Sequence, residues 1–171
     1  YNQTKAATIA IADYVGPVYL RFGRPKMPNF TPAEKKFEIG KAVHLQDGND
    51  VTIIATGHLV WEALQAAKTL SDNGISVEVI NIHTIKPLDE KAILNSVSKT
   101  KCIVTAEEHM LNGGLGDSIA QLLGRNNPAP LEMVGVNDTF GESGPPMQLL
   151  EKYGLDAKAI IAAAKKVIAR K

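Results

Sequence analysis

The sequence contains 171 residues, enough for one domain of ordinary size with a real hydrophobic core. Hydrophobic residues make up 44% and charged residues 22%, which is typical of a globular protein. Nineteen Lys and Arg residues stand against 18 Asp and Glu residues, giving a net charge of +1. Because binding to nucleic acid or to an anionic membrane draws on a clear basic excess, this balance argues against both partners.

The only cysteine, Cys102, lies in an apolar run. One cysteine cannot form a disulfide within the chain, which is typical of a reducing compartment. No apolar stretch approaches the roughly 20 residues of a membrane helix, and no signal-peptide pattern is recognised. We therefore predict a cytoplasmic protein. The sequence begins at Tyr1 rather than Met, and we expect that an upstream part has been removed.

The first segment predicts a helix and a strand that cannot fold alone. Small apolar residues recur at helical spacing over residues 3–14, and Val18–Phe22 is typical of a strand. Three prolines and a glycine follow within ten residues, which indicates an extended linker and a domain boundary. About 22 residues bury too little surface for independent stability. We therefore predict three parts: the tail of a preceding α/β domain over residues 1–28, a linker over 29–39 and a domain over 40–171.

The long remainder alternates strands with helices. Strands are predicted at 40–45, 51–56, 76–82, 102–106 and 131–136, and helices at 60–73, 90–97, 113–123, 146–153 and 156–169. Asp47-Gly48 between the first two strands is a strong hairpin signal, so the first strand should run antiparallel to its neighbour. The alternation predicts a mostly parallel sheet with helices on both faces.

A glycine run precedes one of the predicted helices. Gly113, Gly114 and Gly116 could bring the free N–H groups of a helix N-terminus to an anion. The run lacks the lysine of a P-loop and the spacing of the dinucleotide fingerprint. Close packing between helix and sheet is the alternative, and we favour it.

Three histidines each follow a predicted parallel strand. They are His58, His83 and His109, and Glu107 and Glu108 lie near the last. Because the carboxyl ends of parallel strands share one edge of a sheet, these side chains could form a metal site. Their spacings are long, however, and the sequence has no local histidine pair. We predict interface roles and no metal.

Two arginines stand at the end of the first segment. The planar guanidinium groups of Arg21 and Arg24 suit bidentate binding of phosphate, and a solvated edge is the alternative. No Ser-His-Asp, Cys-His or paired-carboxylate arrangement is found. The residues alone therefore predict a binding or assembly domain without a reactive group of its own.

Five motifs occur in a fixed order. They are Gly16–Pro25, Ile54–Gly57 with Ala63-Leu64, Ile82–Asp89, Glu107–His109 with Gly113–Gly116, and Phe140–Gly144 with Tyr153–Leu155. Taken together, they resemble the C-terminal region of the transketolase family across essentially the whole chain. Deoxyxylulose-phosphate synthases and the β chains of 2-oxoacid dehydrogenases share this domain. The run Asp138–Gly144 favours transketolase, and within it the type split into two subunits.

The resemblance implies a three-layer α/β/α sandwich with a five-stranded mixed sheet, one strand of it antiparallel. It makes residues 1–28 the tail of a pyrimidine-binding domain. It also implies transfer of a two-carbon ketol unit between sugar phosphates, as in the pentose phosphate pathway, through thiamine diphosphate with Mg²⁺. The residues that bind this cofactor lie outside the chain. We therefore expect that the isolated chain binds no cofactor and is inactive.

One residue role follows from the resemblance. Arg24 matches the family arginine that binds the phosphate of the substrate, and Arg21 is a second candidate; no catalytic residue is expected. The implied partners are an N-terminal transketolase subunit or domain, a second copy of the chain in a homodimer through the C-terminal domain, and a sugar phosphate. The alternatives are a deoxyxylulose-phosphate synthase, a 2-oxoacid dehydrogenase β chain, or a non-enzymatic regulatory module that binds an anion at the glycine run.

Overall fold

A computed structural model describes residues 1–23, 26–34 and 36–171. Its helices are α1 (Asn2–Ala12), α2 (Leu59–Asp72), α3 (Glu90–Thr100), α4 (Leu115–Asn126), α5 (Pro146–Lys152) and α6 (Ala157–Ile168). Its strands are β1 (Val43–Gln46), β2 (Val51–Ala55), β3 (Val77–Asn81), β4 (Ile103–Met110) and β5 (Leu131–Val136). None of the helices in these ranges is both long enough and apolar enough to cross a bilayer.

The five strands form one sheet in the order β1-β3-β2-β4-β5. Strands β2, β3, β4 and β5 run parallel to one another, and β1 runs antiparallel to β3. Every residue of β2 and β3 is buried, as expected for strands covered on both faces. The predicted five-stranded mixed sheet with one antiparallel strand is confirmed.

Helices cover both faces of the sheet. On one face, α2 and α6 pack against side chains such as Ile53 and Val104. On the other, α3 and α4 pack against Ile54 and Ile103. Successive strand residues point to opposite faces, which is why neighbours in sequence belong to different cores. The predicted three-layer α/β/α architecture is confirmed.

The predicted hairpin at Asp47-Gly48 is wrong. β1 pairs with β3 instead of β2, so β3 lies between the two strands that the turn connects. The chain passes under the start of β3, where the backbone of Val77 and Glu78 leaves no room for a Cβ on Gly48. The crossing is anchored on Ser76, whose carbonyl accepts from the Asp50 N–H at 2.8 Å and whose own N–H donates to the Asp50 carboxylate at 2.7 Å. The antiparallel direction was predicted correctly, and the partner strand was not.

The first segment lies against the domain without joining its sheet. The Asn81 side-chain amide donates to Oε1 of Gln3 in α1 at 3.1 Å. Residues 18–22, predicted as a strand, form none of the strands in the described residues. A strand needs a neighbour to complete its hydrogen bonds, and Tyr19 and Phe22 here are largely exposed. The domain ranges 1–28, 29–39 and 40–171 stay a prediction.

Candidate functional site

The candidate site lies where the carboxyl ends of β2 and β4 meet the first segment. These strands are paired in parallel, with Ala55 opposite Ala106, so the residues that follow them share one edge of the sheet. Gly57 makes the turn from β2 into α2 with a positive φ of 58°, which few other residues adopt easily. The turn places His58 at the start of α2, directly beside Glu108 of β4.

His58 and Glu108 form a close polar pair. Nδ1 of His58 lies 2.9 Å from Oε2 of Glu108, and the imidazole is mostly buried while the carboxylate is partly exposed. The same ring lies against the backbone of Gly23, where a Cβ would overlap its Cε1 and Nε2 atoms. The first segment can therefore approach α2 this closely only because residue 23 has no side chain.

Arg21 makes the second contact between the segment and this edge. Its Nη1 donates to the backbone carbonyl of Glu108 at 3.1 Å. Glu108 thus contacts His58 through its side chain and Arg21 through its backbone. We call Arg21, Gly23, His58 and Glu108 the junction cluster. Arg24, the phosphate-binding candidate, follows Gly23 in the sequence and lies outside the described residues.

The glycine run at the start of α4 is occupied by a carboxylate of the chain itself. Glu107 is buried, and its two oxygens accept hydrogen bonds from the backbone N–H groups of Leu115 and Gly116, each at 2.8 Å. The Gly113 N–H donates to Oδ2 of Asp117 at 2.6 Å. An incoming anion would meet the negative charge of Glu107 at the very groups that should bind it.

The glycines also allow close packing. A Cβ on Gly114 would overlap the Glu107 carboxylate, and one on Gly116 would lie 2.7 Å from Sδ of Met133. This arrangement is the helix–sheet packing that we favoured over an anion site. The interface role predicted for the run stays a prediction.

The other two candidate histidines, His83 and His109, make their contacts outside the junction cluster. The ring of His83 lies 4.1 Å from that of Phe37, centroid to centroid, and its Nδ1 is 2.9 Å from Oγ1 of Thr84. His109 is exposed, with its Nδ1 2.9 Å from the Met110 carbonyl oxygen. Among the described residues, the group of three donors close enough for one metal ion includes none of the three predicted histidines.

Sequence reasoning missed the roles of Gly23, Glu107 and Glu108. Glu107 and Glu108 were named only as neighbours of His109, because the parallel register brings strand ends to one edge without saying which side chains pair. A signal for Glu107 was present: an acidic residue at the end of an apolar strand, followed within eight residues by a glycine-rich helix start. Such a start presents unpaired N–H groups that a buried carboxylate can satisfy.

Comparison with known proteins identifies related chains. The protein family described as "Transketolase, C-terminal domain" matches residues 40–160. A 6-deoxy-6-sulfo-D-fructose transketolase subunit of Clostridium sp. is 48% identical over 99% of this chain and 52% of its own length. A putative transketolase C-terminal section of Methanocaldococcus jannaschii is 44% identical over 94% of this chain and 51% of its own. The chain thus spans about half the length of these curated relatives.

Two further similarities bear on the choice between related enzymes. A 1-deoxy-D-xylulose-5-phosphate synthase of Geobacter sulfurreducens is 39% identical over 99% of this chain, which corresponds to 27% of that protein. A solved structure titled "Split gene transketolase, inactive beta4 tetramer" superposes with a TM-score of 0.95 at 43% identity. It covers 98% of this chain and 55% of its own.

Proposed function

This chain belongs to the transketolase family and contains its C-terminal domain, and we propose that it is the C-terminal part of an enzyme that transfers a two-carbon ketol unit between sugar phosphates. In this role the chain holds the phosphate of the substrate and helps to assemble the active oligomer. The observation that carries the proposal is the junction cluster, because it fixes the segment that leads directly to Arg24.

The junction cluster gives the segment two anchors, at Arg21 and Gly23, which precede Arg24 in the sequence. Arg21 is held by a backbone carbonyl, and Gly23 lies against the His58 ring, which Glu108 in turn orients. A guanidinium binds an oxyanion well only when its position is fixed, since ordering a long side chain costs rotamer entropy. We assign Arg24 to the substrate anion and Arg21 to a supporting role, since its Nη1 already donates to Glu108.

The nature of the anion is supported by one of the relatives. The Clostridium protein is named for a sugar that carries a sulfo group. Sulfonate and phosphate are both tetrahedral groups with several acceptor oxygens, and a planar guanidinium can donate two parallel hydrogen bonds to either. The proposal therefore requires an anionic group on the sugar, and phosphate is the form that we expect.

Thiamine diphosphate and Mg²⁺ are the cofactors of the proposed intact enzyme. Among the described helices, α4 is the one that begins at the glycine run, and Glu107 occupies its amides. The residues there do not fit the cofactor. We propose that an N-terminal transketolase subunit or domain supplies the cofactor site, including the acid–base and metal-binding groups, and that the cofactor performs the ketol chemistry there.

The exposed apolar surface of the first segment supports a partner subunit. Val15 is 98% exposed and Tyr19 is 87% exposed, and Val18 and Phe22 of the same segment are exposed too. Exposed apolar residues grouped in this way are candidates for contact with a partner. The solved neighbour is an inactive β4 tetramer by its title, which supports self-association of the isolated chain without activity. We propose a homodimer contact through the C-terminal domain as the basis of that association.

Kinetics of the intact enzyme test the phosphate assignment. Arg24→Ala should raise the KM for the sugar phosphate by about 10- to 100-fold, the loss expected when a charge-assisted hydrogen bond is removed. The affinity for thiamine diphosphate should not change. Lys26→Ala is the matched control, since Lys26 is an exposed cation two residues away, and it should leave the KM unaltered. An unchanged KM in Arg24→Ala would refute the assignment.

A second test concerns the division of labour between chains. The purified chain should show no ketol transfer, and activity should appear when it is combined with an N-terminal transketolase section that binds thiamine diphosphate. Static light scattering on the same samples measures association. Ketol transfer by the chain alone would contradict the proposal.

A deoxyxylulose-phosphate synthase is the second candidate. The 39% identity to the Geobacter synthase favours it, and so do the two arginines before the linker. Formation of 1-deoxy-D-xylulose 5-phosphate by the intact enzyme, without ketol transfer, would select the synthase. The reverse pattern would select transketolase.

A further inference from the structure

A second cluster of polar side chains lies at the β1 edge of the sheet, apart from the junction cluster. His44 of β1, Asp47 just after it and Glu78 near the start of β3 each place a donor atom within 4.8 Å of the other two. β1 is antiparallel to β3 with His44 opposite Ile80, so the side chains of His44 and Glu78 project from the same face, toward α3. The junction cluster, by contrast, follows the carboxyl ends of β2 and β4.

Glu78 is the buried member of this group. Its Oε2 accepts a hydrogen bond from Oγ1 of Thr52 at 2.8 Å, which fixes the carboxylate as outer hydrogen bonds fix metal-ligating carboxylates. Its Oε1 faces a cleft and lies 2.7 Å from Nζ of Lys99 and 3.5 Å from Nδ1 of His44. Oε2 of Glu78 is therefore held by Thr52, whereas Oε1 lies beside the Lys99 ammonium and the His44 imidazole.

An independent observation comes from the helix side of the cleft. The cleft has a volume of about 240 Å³, and Ser96 and Lys99 of α3 line it one turn apart. Ser96 is 2% exposed, and within the described residues its Oγ has no hydrogen-bond partner. Leaving a buried hydroxyl unpaired costs about 1–3 kcal/mol. A polar occupant of the cleft would remove this cost.

We propose that His44, Asp47 and Glu78 form a binding site for a divalent transition-metal ion of the zinc class. One imidazole nitrogen and two carboxylate oxygens are the ligand types that Zn²⁺ accepts, in the three-ligand arrangement that leaves a fourth position for water. With bonds of about 2.1 Å, ligand atoms of a tetrahedral site lie about 3.4 Å apart. The observed 3.5 Å between His44 Nδ1 and Glu78 Oε1 matches this separation.

The remaining geometry requires small movements of exposed groups. His44 and Asp47 are exposed, so their side chains can move from within 4.8 Å to the shorter separation of bound ligands without disturbing the core. Two carboxylates and one lysine give the cleft one net negative charge when the imidazole is neutral. Lys99 is 38% exposed and occupies the oxygen that the metal would bind, so it acts as a displaceable cation. Ser96 lines the same cleft, so a water bound to the metal is the partner that the proposal gives to its unpaired hydroxyl.

Such a site would tie β1 to the rest of the sheet. β1 is a short edge strand of four residues, and the ligands join it to the buried strand β3. A metal that binds only the folded chain stabilises it by mass action. The role that we give the site is thus stabilisation of the fold, and it stands independently of the proposed ketol transfer.

The test uses the metal-free chain titrated with ZnCl₂ in competition with a chromophoric chelator. We expect one Zn²⁺ per chain. His44→Gln and Asp47→Asn, both at exposed positions, should weaken binding by at least about tenfold, the loss typical of a damaged metal site. Lys99→Gln removes the competing cation and should tighten binding by about two- to fivefold, in line with the loss of one partly exposed charge-pair contact. His109→Gln, which changes an exposed histidine outside the group, serves as the matched control.

The outcomes separate cleanly. Weaker binding in the His44 and Asp47 variants, unchanged binding in the His109 variant and a higher Tm with Zn²⁺ in the parent chain support the site. Equal affinity of the parent, His44→Gln and Asp47→Asn chains would overturn it, and so would the absence of stoichiometric binding at millimolar ZnCl₂. Circular dichroism of each variant verifies that it is folded.

Discussion

The carboxylate of Glu107 lies directly against the backbone of Gly114, so that the N-cap position of α4 has room for glycine alone. Both oxygens of Glu107 accept hydrogen bonds from backbone N–H groups, one from Leu115 and one from Gly116. A helix start that resembles an anion site is thereby converted into a fixed connection between β4 and α4. The consequence can be measured as stability.

Gly114→Ala should destabilise the chain by about 1–3 kcal/mol, because the added methyl forces the buried carboxylate away from its two N–H partners. Urea unfolding followed by circular dichroism measures the change. Gly124→Ala is the matched control: Gly124 lies in the same helix, where a Cβ would meet open space. That control should stabilise the helix by about 0.5–1 kcal/mol. Equal effects of the two substitutions would contradict the role given to Glu107.

The junction cluster predicts how the first segment is held. His58→Ala removes the ring that lies against Gly23 and leaves Glu108 without its partner. Proteolytic cleavage within residues 18–23, followed by mass spectrometry of timed digests, should then become at least about tenfold faster, since local opening is no longer opposed by these contacts. Amide hydrogen exchange in β2 and β4 should stay unchanged. His109→Gln is the control, and the same acceleration there would count against the cluster.

Cys102 predicts an alkaline loss of stability. Burial raises the pKa of its thiol, an effect reinforced by Asp50 and partly opposed by Lys171. Because the folded chain holds the proton more tightly, the stabilisation is complete below the unfolded pKa of about 8.5 and is lost as the pH rises through the folded value. Unfolding free energies between pH 7 and 10 should show this decline, and Cys102→Ala should remove the part due to the thiol.

The burial of Cys102 also predicts slow alkylation of its thiol. In the native chain at pH 8, iodoacetamide should modify Cys102 far more slowly than after unfolding in urea, because the thiolate is both rare and shielded. Mass spectrometry of timed samples measures the two rates. Equal rates would show that the thiol is accessible.

Glu132 predicts an acid loss of stability. Burial alone would raise its pKa, but hydrogen bonds and charge from Lys166 and Arg170 lower it. The stabilisation is therefore present above the unfolded pKa of about 4.3 and is lost as the pH falls through the folded value. Glu132→Gln should cost about 0.5–1 kcal/mol at pH 7 and progressively less toward pH 3. Glu151→Gln, at an exposed and longer ion pair, should show no such trend.

Much of the fold could be predicted from local patterns. The apolar run that forms β2, the cap residue Asp89 before α3 and the glycine after α2 each act through neighbours in sequence. β4 is longer than predicted, reaching Met110, because its polar end contributes to pairing with β5. What the sequence could not show was the partner of β1. A turn signal such as Asp47-Gly48 describes a bend, and it does not show whether a distant strand lies between its two arms.

The site was predicted as a location more than as a set of contacts. Parallel strands place His58 and Glu108 at one edge, and this much follows from the alternation of strands and helices. Their pairing depends on the register of Ala55 opposite Ala106, which only the assembled sheet defines. His44 and Glu78 escaped notice for the same reason, since they become neighbours only through the antiparallel pairing of β1 with β3.

The position of β3 between β1 and β2 has a consequence for biosynthesis. During translation, residues 43–46 leave the ribosome about 30 residues before their partner strand exists, since they pair with residues 79–81 of β3. Until then β1 carries unsatisfied backbone groups, and the connection through Gly48 must stay open far enough for a later strand to enter. A nascent chain stalled before residue 77 therefore cannot form the native pairing of β1, whatever the duration of the stall.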